Sequence, residues 1–506
     1  MNRLSTTSFL WLSVCMCTVA VADPAHRFDV TKLGVDGNVL SVVPADVDGD
    51  GKRDLVVVYQ SGPEAEPPRS FGIFWNKGGA FSAKPDVTIK IDAKACAYDV
   101  ADVDDAAGAE LVTIGRDGAW ATHFAGHAHQ APTALFTEPT VFYKPDGKAL
   151  PRVRIVHDLG HDTAGKQGRR LVVPLLGTIG VFARSGGAWA ATAHLPIDGK
   201  SSITYDDRLT RAATTLQSFS VGFQFPVIHV ADADGDGLPD LISATEDRVA
   251  IFKQKPGVQF DEKPSYHRDF SVRTAAEAAR VVQSASITVA DFDGDGIADL
   301  VVAKIVGKGI TSAQTTNYLF LGKRGGGYGE GPDQTLKSDG FGGSDIEPMD
   351  LTGDKRPDLI VPTVTMGVWS IIRMLTTKMV AVKFQVYPFN AAHRFVETPT
   401  VRELKFKFSL AGDSDIPAVE MHGDYNGDKR PDLAFGVGDS ELGIYPGIDG
   451  ESIVTKDPVE KVKVDTRGRL IAVDLDHKGK DDIILYYPST LSLRKEIVVL
   501  QNRGTW

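Results

Sequence analysis

Aspartates recur in this sequence at a spacing that suits a hard divalent cation. Asp46, Asp48, Asp50 and Asp54 stand at positions 1, 3, 5 and 9 of the stretch Asp-Val-Asp-Gly-Asp-Gly-Lys-Arg-Asp-Leu. The same positions hold Asp232, Asp234, Asp236 and Asp240 in a second copy, and Asp291, Asp293, Asp295 and Asp299 in a third. Four carboxylates on one tight loop repel one another unless a cation sits among them. Glycines at positions 4 and 6 let the backbone curl around such an ion, and a flexible shell of many oxygens suits calcium better than magnesium. The expected ligands are the side chains at positions 1, 3, 5 and 9 with the carbonyl of position 7, which belongs to Lys52, Leu238 or Ile297.

Two near copies follow. One carries Asp350, Thr352, Asp354, Arg356 and Asp358 at the five positions, the other Asp424, Asn426, Asp428, Arg430 and Asp432. Thr352 and Asn426 can still offer a neutral oxygen, but Lys355 and Lys429 replace the position-6 glycine. A less favourable turn and a weaker ion are expected there. Three copies have decayed further. The loop from Asp474 has Lys478 at position 5, whose ammonium can stand in for a metal, and those from Asp102 and Asp158 are expected to be empty. The expectation is about three strong and two weaker calcium sites.

The eight loops begin at residues 46, 102, 158, 232, 291, 350, 424 and 474, so the chain repeats at intervals of 50 to 74 residues. Such a period marks a repeat architecture. Within each unit an alternating segment such as Val227–Val230 enters the loop. A continuous apolar run such as Leu55–Val58 or Leu300–Val302 leaves it. A third strand follows, as in Phe71–Trp75, and a glycine turn delivers an aromatic: Phe81, Trp189, Phe260, Tyr328 and Trp506. Four short strands per unit predict an all-β protein, a β-propeller of eight blades, or seven if a decayed unit is absorbed as an insertion. The last unit lacks a fourth strand, and an orphan segment, Arg27–Leu33, precedes the first loop. The N-terminal strand is therefore expected to complete the C-terminal blade and remove the ring's open edges. Insertions are expected near 185–225 and 363–415. In the second, apolar residues at 368, 371, 372, 375 and 379 have helical spacing, so an amphipathic helix over 367–382 is expected, with docking of a partner as its functional reading.

Residues 1–22 read as a signal peptide: Arg3, an apolar run from Phe9 to Val21, and Ala20-Val21-Ala22 ahead of Asp23. Residues 23–506 then form one propeller domain, periplasmic or extracellular, without a later run long enough to span a bilayer. Of three cysteines only Cys96 survives cleavage, so no internal disulfide can form, and a buried inert thiol is expected. The net charge of −11 becomes one unit more negative when Arg3 is lost. That argues against nucleic acid as a partner, and bound calcium would offset most of it.

Catalytic signatures are sparse. The chain has no H-E-x-x-H, G-x-S-x-G or P-loop sequence, and Gly325–Gly331 reads as a strand-to-strand turn. His123, His127 and His129 could ligate a transition metal, but no carboxylate or thiol stands at an obvious spacing, so they are read as a solvated loop.

The Asp-x-Asp-Gly-Asp-Gly-x-x-Asp-Leu copies and their period resemble the FG-GAP/VCBS repeats, best known from the propeller heads of integrin α chains. The resemblance covers nearly all of residues 24–506, although the Phe-Gly and Gly-Ala-Pro landmarks are blurred. It implies calcium in the hairpins between the first two strands of certain blades, here the five loops just described. It also implies an exported, non-catalytic binding, adhesion or scaffold module with an unknown protein or glycan ligand. The alternative is a lectin or a carbohydrate-active enzyme such as a calcium-dependent polysaccharide lyase.

Overall fold

In the computed structural model, residues 27–506 are described apart from 63–66, 105, 144–148, 162–166, 198–199, 206–218, 281, 339, 341, 343–346, 365–375, 378, 408–417, 450–452 and 505. The expected signal peptide lies outside the described residues. So does most of the expected helix over 367–382.

Apolar runs of four or more residues need cover on both faces, and here they obtain it as second strands of radially stacked sheets. Blade 1 shows the plan: Asn38–Ala45, Asp54–Gln60, Arg69–Phe74 and Val87–Lys90 pair antiparallel in chain order. Its second strand is buried from Asp54 to Tyr59. The plan repeats over residues 97–136, 156–196, 227–269, 282–338 and 419–463, which form blades 2, 3, 4, 5 and 7. Blade 6 has three strands among the described residues, Leu359–Val364, Met379–Tyr387 and Thr400–Lys407. A bridge from Met349 to Asp358 marks the place of its first strand. The strand Met379–Tyr387 corrects the expected helix over 379–382 alone. Met379 to Val382 pair with Leu404 to Lys407, so the helical spacing does not extend to the end of that segment. Outside blade 3, Lys200–Tyr205 and Phe219–Gln224 form a separate two-stranded hairpin.

Blade 8 takes three strands from the end of the chain, Arg469–Val473, Asp482–Tyr486 and Glu496–Asn502. The fourth is Phe28–Gly34, in register from Phe28 opposite Asn502 to Gly34 opposite Glu496. The two ends of the chain thus close the ring, as the orphan segment led one to expect. Eight hydrophobic clusters confirm eight blades, because each straddles one seam. Leu55 and Val57 of blade 1 pack with Ile484 and Val499 of blade 8, and Ala434 and Ile444 of blade 7 pack with Ile483 and Leu500 of blade 8. The remaining six clusters each join two consecutive blades.

The aromatics after the glycine turns have one common place. Phe81, Trp189, Phe260, Tyr328 and Trp506 each pack into the seam between their own blade and the preceding one. Cys96 is buried and unpaired, and burial raises its thiol pKa.

Candidate metal centres

Every acidic loop joins the first strand of a blade to the second, so all of them lie on one face of the ring. The turn is built by the carboxylates themselves. Asp46 accepts hydrogen bonds from the amides of Gly49 (2.8 Å) and Gly51 (2.9 Å), and Asp50 accepts from Lys52 N (2.8 Å). The same pattern recurs at Asp232 with Gly235 and Gly237, Asp291 with Gly294 and Gly296, Asp350 with Gly353 and Lys355, and Asp424 with Gly427 and Lys429. The position-5 carboxylates of Asp236, Asp295, Asp354 and Asp428 accept from the position-7 amides of Leu238, Ile297, Arg356 and Arg430. Position 6 needs a left-handed backbone. Gly51, Gly237 and Gly296 supply it freely, whereas Lys355 and Lys429 hold it at φ 70° and 67°.

Position 9 has a second task. Both oxygens of Asp54 are engaged by backbone, Val47 N at 3.0 Å and Asn76 N at 2.8 Å, which ties the loop to the end of the third strand. Asp240, Asp299, Asp432 and Asp482 do the same. Burial, opposed by these amides and reinforced by neighbouring carboxylates, pushes the pKa of Asp54, Asp240, Asp432 and Asp482 up to about 6. The same causes push Asp299 and Asp358 to about 7.

Three loops draw carboxylate oxygens together within 4.8 Å of one another: Asp46, Asp48 and Asp50; Asp232, Asp234 and Asp240; Asp291, Asp293 and Asp295. These are the three intact copies. Cationic side chains of the protein attend two of them, Lys52 Nζ on Asp50 (2.5 Å) and Lys253 Nζ on Asp234 (2.9 Å), and in the near copy Arg356 pairs with Asp354 (2.6 Å). Imidazoles come from the following blade, with His127 Nε2 at 2.9 Å from Asp48 and His393 Nδ1 at 3.0 Å from Asp293. In the last loop Lys478 Nζ sits 2.5 Å from Asp476. Such convergent oxygens, in a turn pre-shaped by glycine, fit a hard cation with oxygen ligands.

Neighbouring loops also touch. The position-8 amides of Ala109, Ala298 and Asp481 donate to the position-1 carbonyls of Asp46, Asp232 and Asp424 in the preceding blade, at 2.7 to 2.8 Å. At position 4, an added Cβ on Gly235 would lie 2.9 Å from Ile297 Cδ1 of the next loop.

Sequence reasoning missed one grouping. His123 is not in a solvated loop: its Nδ1 lies 3.1 Å from Asp104 and 3.5 Å from Glu110, in the decayed loop of blade 2. His127 stays exposed in its hairpin and stacks on Trp75, with ring centroids 4.6 Å apart. Only the topology, which places the residue after the third strand beside the acidic loop, brings these groups together. The signal was available in Asp54 and Asn76, which are related in that way.

An eight-bladed β-propeller with acidic first hairpins is the class that fold and loops define. Residues 232–302 match the model of the FG-GAP-like repeat. No curated protein matches the sequence. Among solved structures, the chain is similar to an Agrocybe aegerita lectin that recognises non-reducing terminal N-acetylglucosamine, at 15% identity over 94% of this chain and 96% of that one, with TM-score 0.39. It is similar to Sqt1 from Chaetomium thermophilum at 12% identity over 94% and 100% of the two chains, TM-score 0.40. A periplasmic gluconolactonase of Pseudomonas aeruginosa aligns at 11% identity over 85% and 97%, TM-score 0.28.

Proposed function

We propose that this chain is an exported, calcium-stabilised propeller that binds a macromolecule through the loops on its faces and carries out no chemistry of its own. The observation that carries the reading is the set of three carboxylate clusters on one face, each on an intact Asp-x-Asp-Gly-Asp-Gly loop. Calcium there would join side chains at positions 1, 3, 5 and 9 and fix the hairpins. The near copies at Asp350 and Asp424 share the same turn and would hold weaker ions. Among the described residues Cys96 is the one cysteine and forms no disulfide, so ions would take over the cross-linking role on the outside of a cell. The amino-terminal segment 1–22 supports export, and no helix of the described residues is long and apolar enough to cross a membrane. The ligand would be a protein or a glycan, with the segment near 367–382 a further docking place.

The test is incubation of the calcium-loaded protein with immobilised acidic and neutral polysaccharides and with extracellular protein extracts, with and without chelator, scoring retention and cleavage. Calcium-dependent retention without cleavage supports the reading. Cleavage of any glycan overturns the non-catalytic assignment, and retention unchanged by chelator removes calcium from the binding face.

A further inference from the structure

Blade 2 departs from its neighbours in a way that changes the ion it suits. Its loop has Glu110 where blades 1 and 4 to 8 have aspartate at position 9, and Ala106 at position 5. Glu110 Oε2 keeps the usual bond from the position-2 amide, Val103 N, at 2.8 Å. Glu110 Oε1 takes no backbone hydrogen bond among the described residues and faces His123 Nδ1 instead, although the side chain is only 4% exposed. The position-1 residue, Asp102, is withdrawn by Arg169 of blade 3, which bonds it at 2.5 Å. What remains is one imidazole nitrogen and two carboxylates, Asp104 and Glu110, with ligand atoms within 4.8 Å of one another.

We propose that these three side chains form a transition-metal site of the zinc type, distinct in chemistry from the calcium loops. Calcium wants six to eight oxygens, and this cluster offers two carboxylates and a nitrogen. Imidazole with carboxylates suits zinc and its neighbours in the first row. The spacing fits: Nδ1 is 3.1 Å from Asp104 and 3.5 Å from Glu110, against about 3.3 Å for the edge of a tetrahedron with bonds of about 2.0 Å.

A separate observation points the same way. His123 Nε2 lies 3.0 Å from Thr133 Oγ1 on the fourth strand, outside the cluster. With its proton on Nε2, where that hydroxyl can accept it, the imidazole would present the Nδ1 lone pair to a cation held between the two carboxylates. Metal-binding histidines are oriented in this way by an outer partner. Three protein ligands leave a fourth position for water or for a donor group of a bound partner.

The experiment is equilibrium dialysis of the full-length protein against zinc in excess calcium, which saturates the aspartate loops, with cobalt(II) absorption as a second readout. The wild type should retain one zinc that calcium does not displace. His123→Gln, close in size, should lose it while its calcium uptake and thermal midpoint in calcium stay unchanged. Thr133→Val should weaken zinc by about 10- to 100-fold without abolishing it. His127→Ala and His129→Ala should leave zinc uptake unchanged. A wild type that retains no zinc in calcium, zinc uptake equal in His123→Gln, or zinc uptake lost in His127→Ala or His129→Ala with His123 intact, would each overturn the proposal.

Discussion

Asp299 shows what the loops cost at the scale of a residue. It is 1% exposed, and burial, with the charges of its own loop, pushes its pKa up to about 7 against the backbone amides that bond both its oxygens. Asp54, Asp240, Asp358, Asp432 and Asp482 are raised for the same reason. An unfolded aspartate titrates near pH ~3.9. A folded pKa above the unfolded one means the folded state binds protons more tightly, so this contribution is full below pH ~4 and disappears as pH rises through about 6 to 7. In chelator the thermal midpoint should therefore fall between pH 5 and pH 8, and the gain from calcium should be larger at pH 8. A calcium effect that shrinks toward pH 8 would remove the ion from these carboxylates. A second test at this scale uses Asp234→Ala with Asp236→Ala. The pair should lower the midpoint in calcium and leave it almost unchanged in chelator; at free calcium about 100 times the dissociation constant, one lost site amounts to roughly 2.7 kcal/mol. Equal losses in both conditions would make those aspartates structural without an ion.

At the scale of the element, the hairpin was legible and its surroundings were not. Glycine spacing gave the left-handed positions correctly, because φ is a local property, and Lys355 and Lys429 do bear the less favourable turn that their types implied. The apolar runs gave the buried second strands for the same reason. The pairing of His123 with Glu110 was invisible, since thirteen residues and a whole strand separate them and only the antiparallel register brings them level. The end of the segment 367–382 misled for the opposite reason. Its apolar spacing is ambiguous over a short window, and pairing with Thr400–Lys407 decides Met379 to Val382 as strand. Contact between loops is likewise a tertiary fact, and it can be measured. Gly235 and Gly237 both have positive φ, at 77° and 87°, so alanine at either should cost about 1–2 kcal/mol. Only at Gly235 does the added Cβ meet the next loop, at Ile297. Gly235→Ala should thus lower the urea midpoint more than Gly237→Ala, and the excess should vanish in an Ile297→Ala background. An excess that persists there would mean the loops do not press on each other.

The whole molecule should behave as one unit, because no blade owns a core. Each cluster is shared across a seam, and the strand Phe28–Gly34 serves two of them: Phe28 lies in the cluster between blades 7 and 8, Leu33 in the one between blades 8 and 1. An open array of repeats could fray from its ends, with each unit depending only on its neighbours. Closure removes the ends, so losing any seam exposes both blades beside it. Phe28→Ala leaves a cavity beside Tyr425 and Trp506, whose rings meet Phe28 at 6.2 and 6.0 Å, and such a truncation costs about 3–5 kcal/mol. The loss should appear as a single transition shifted to lower temperature, coincident by tryptophan fluorescence and far-ultraviolet circular dichroism, with calcium adding a similar increment to wild type and variant. Two separated transitions in Phe28→Ala would show that the ring opens at this seam before the blades melt, and that closure, rather than the sharing of cores around the ring, is what makes the protein cooperative.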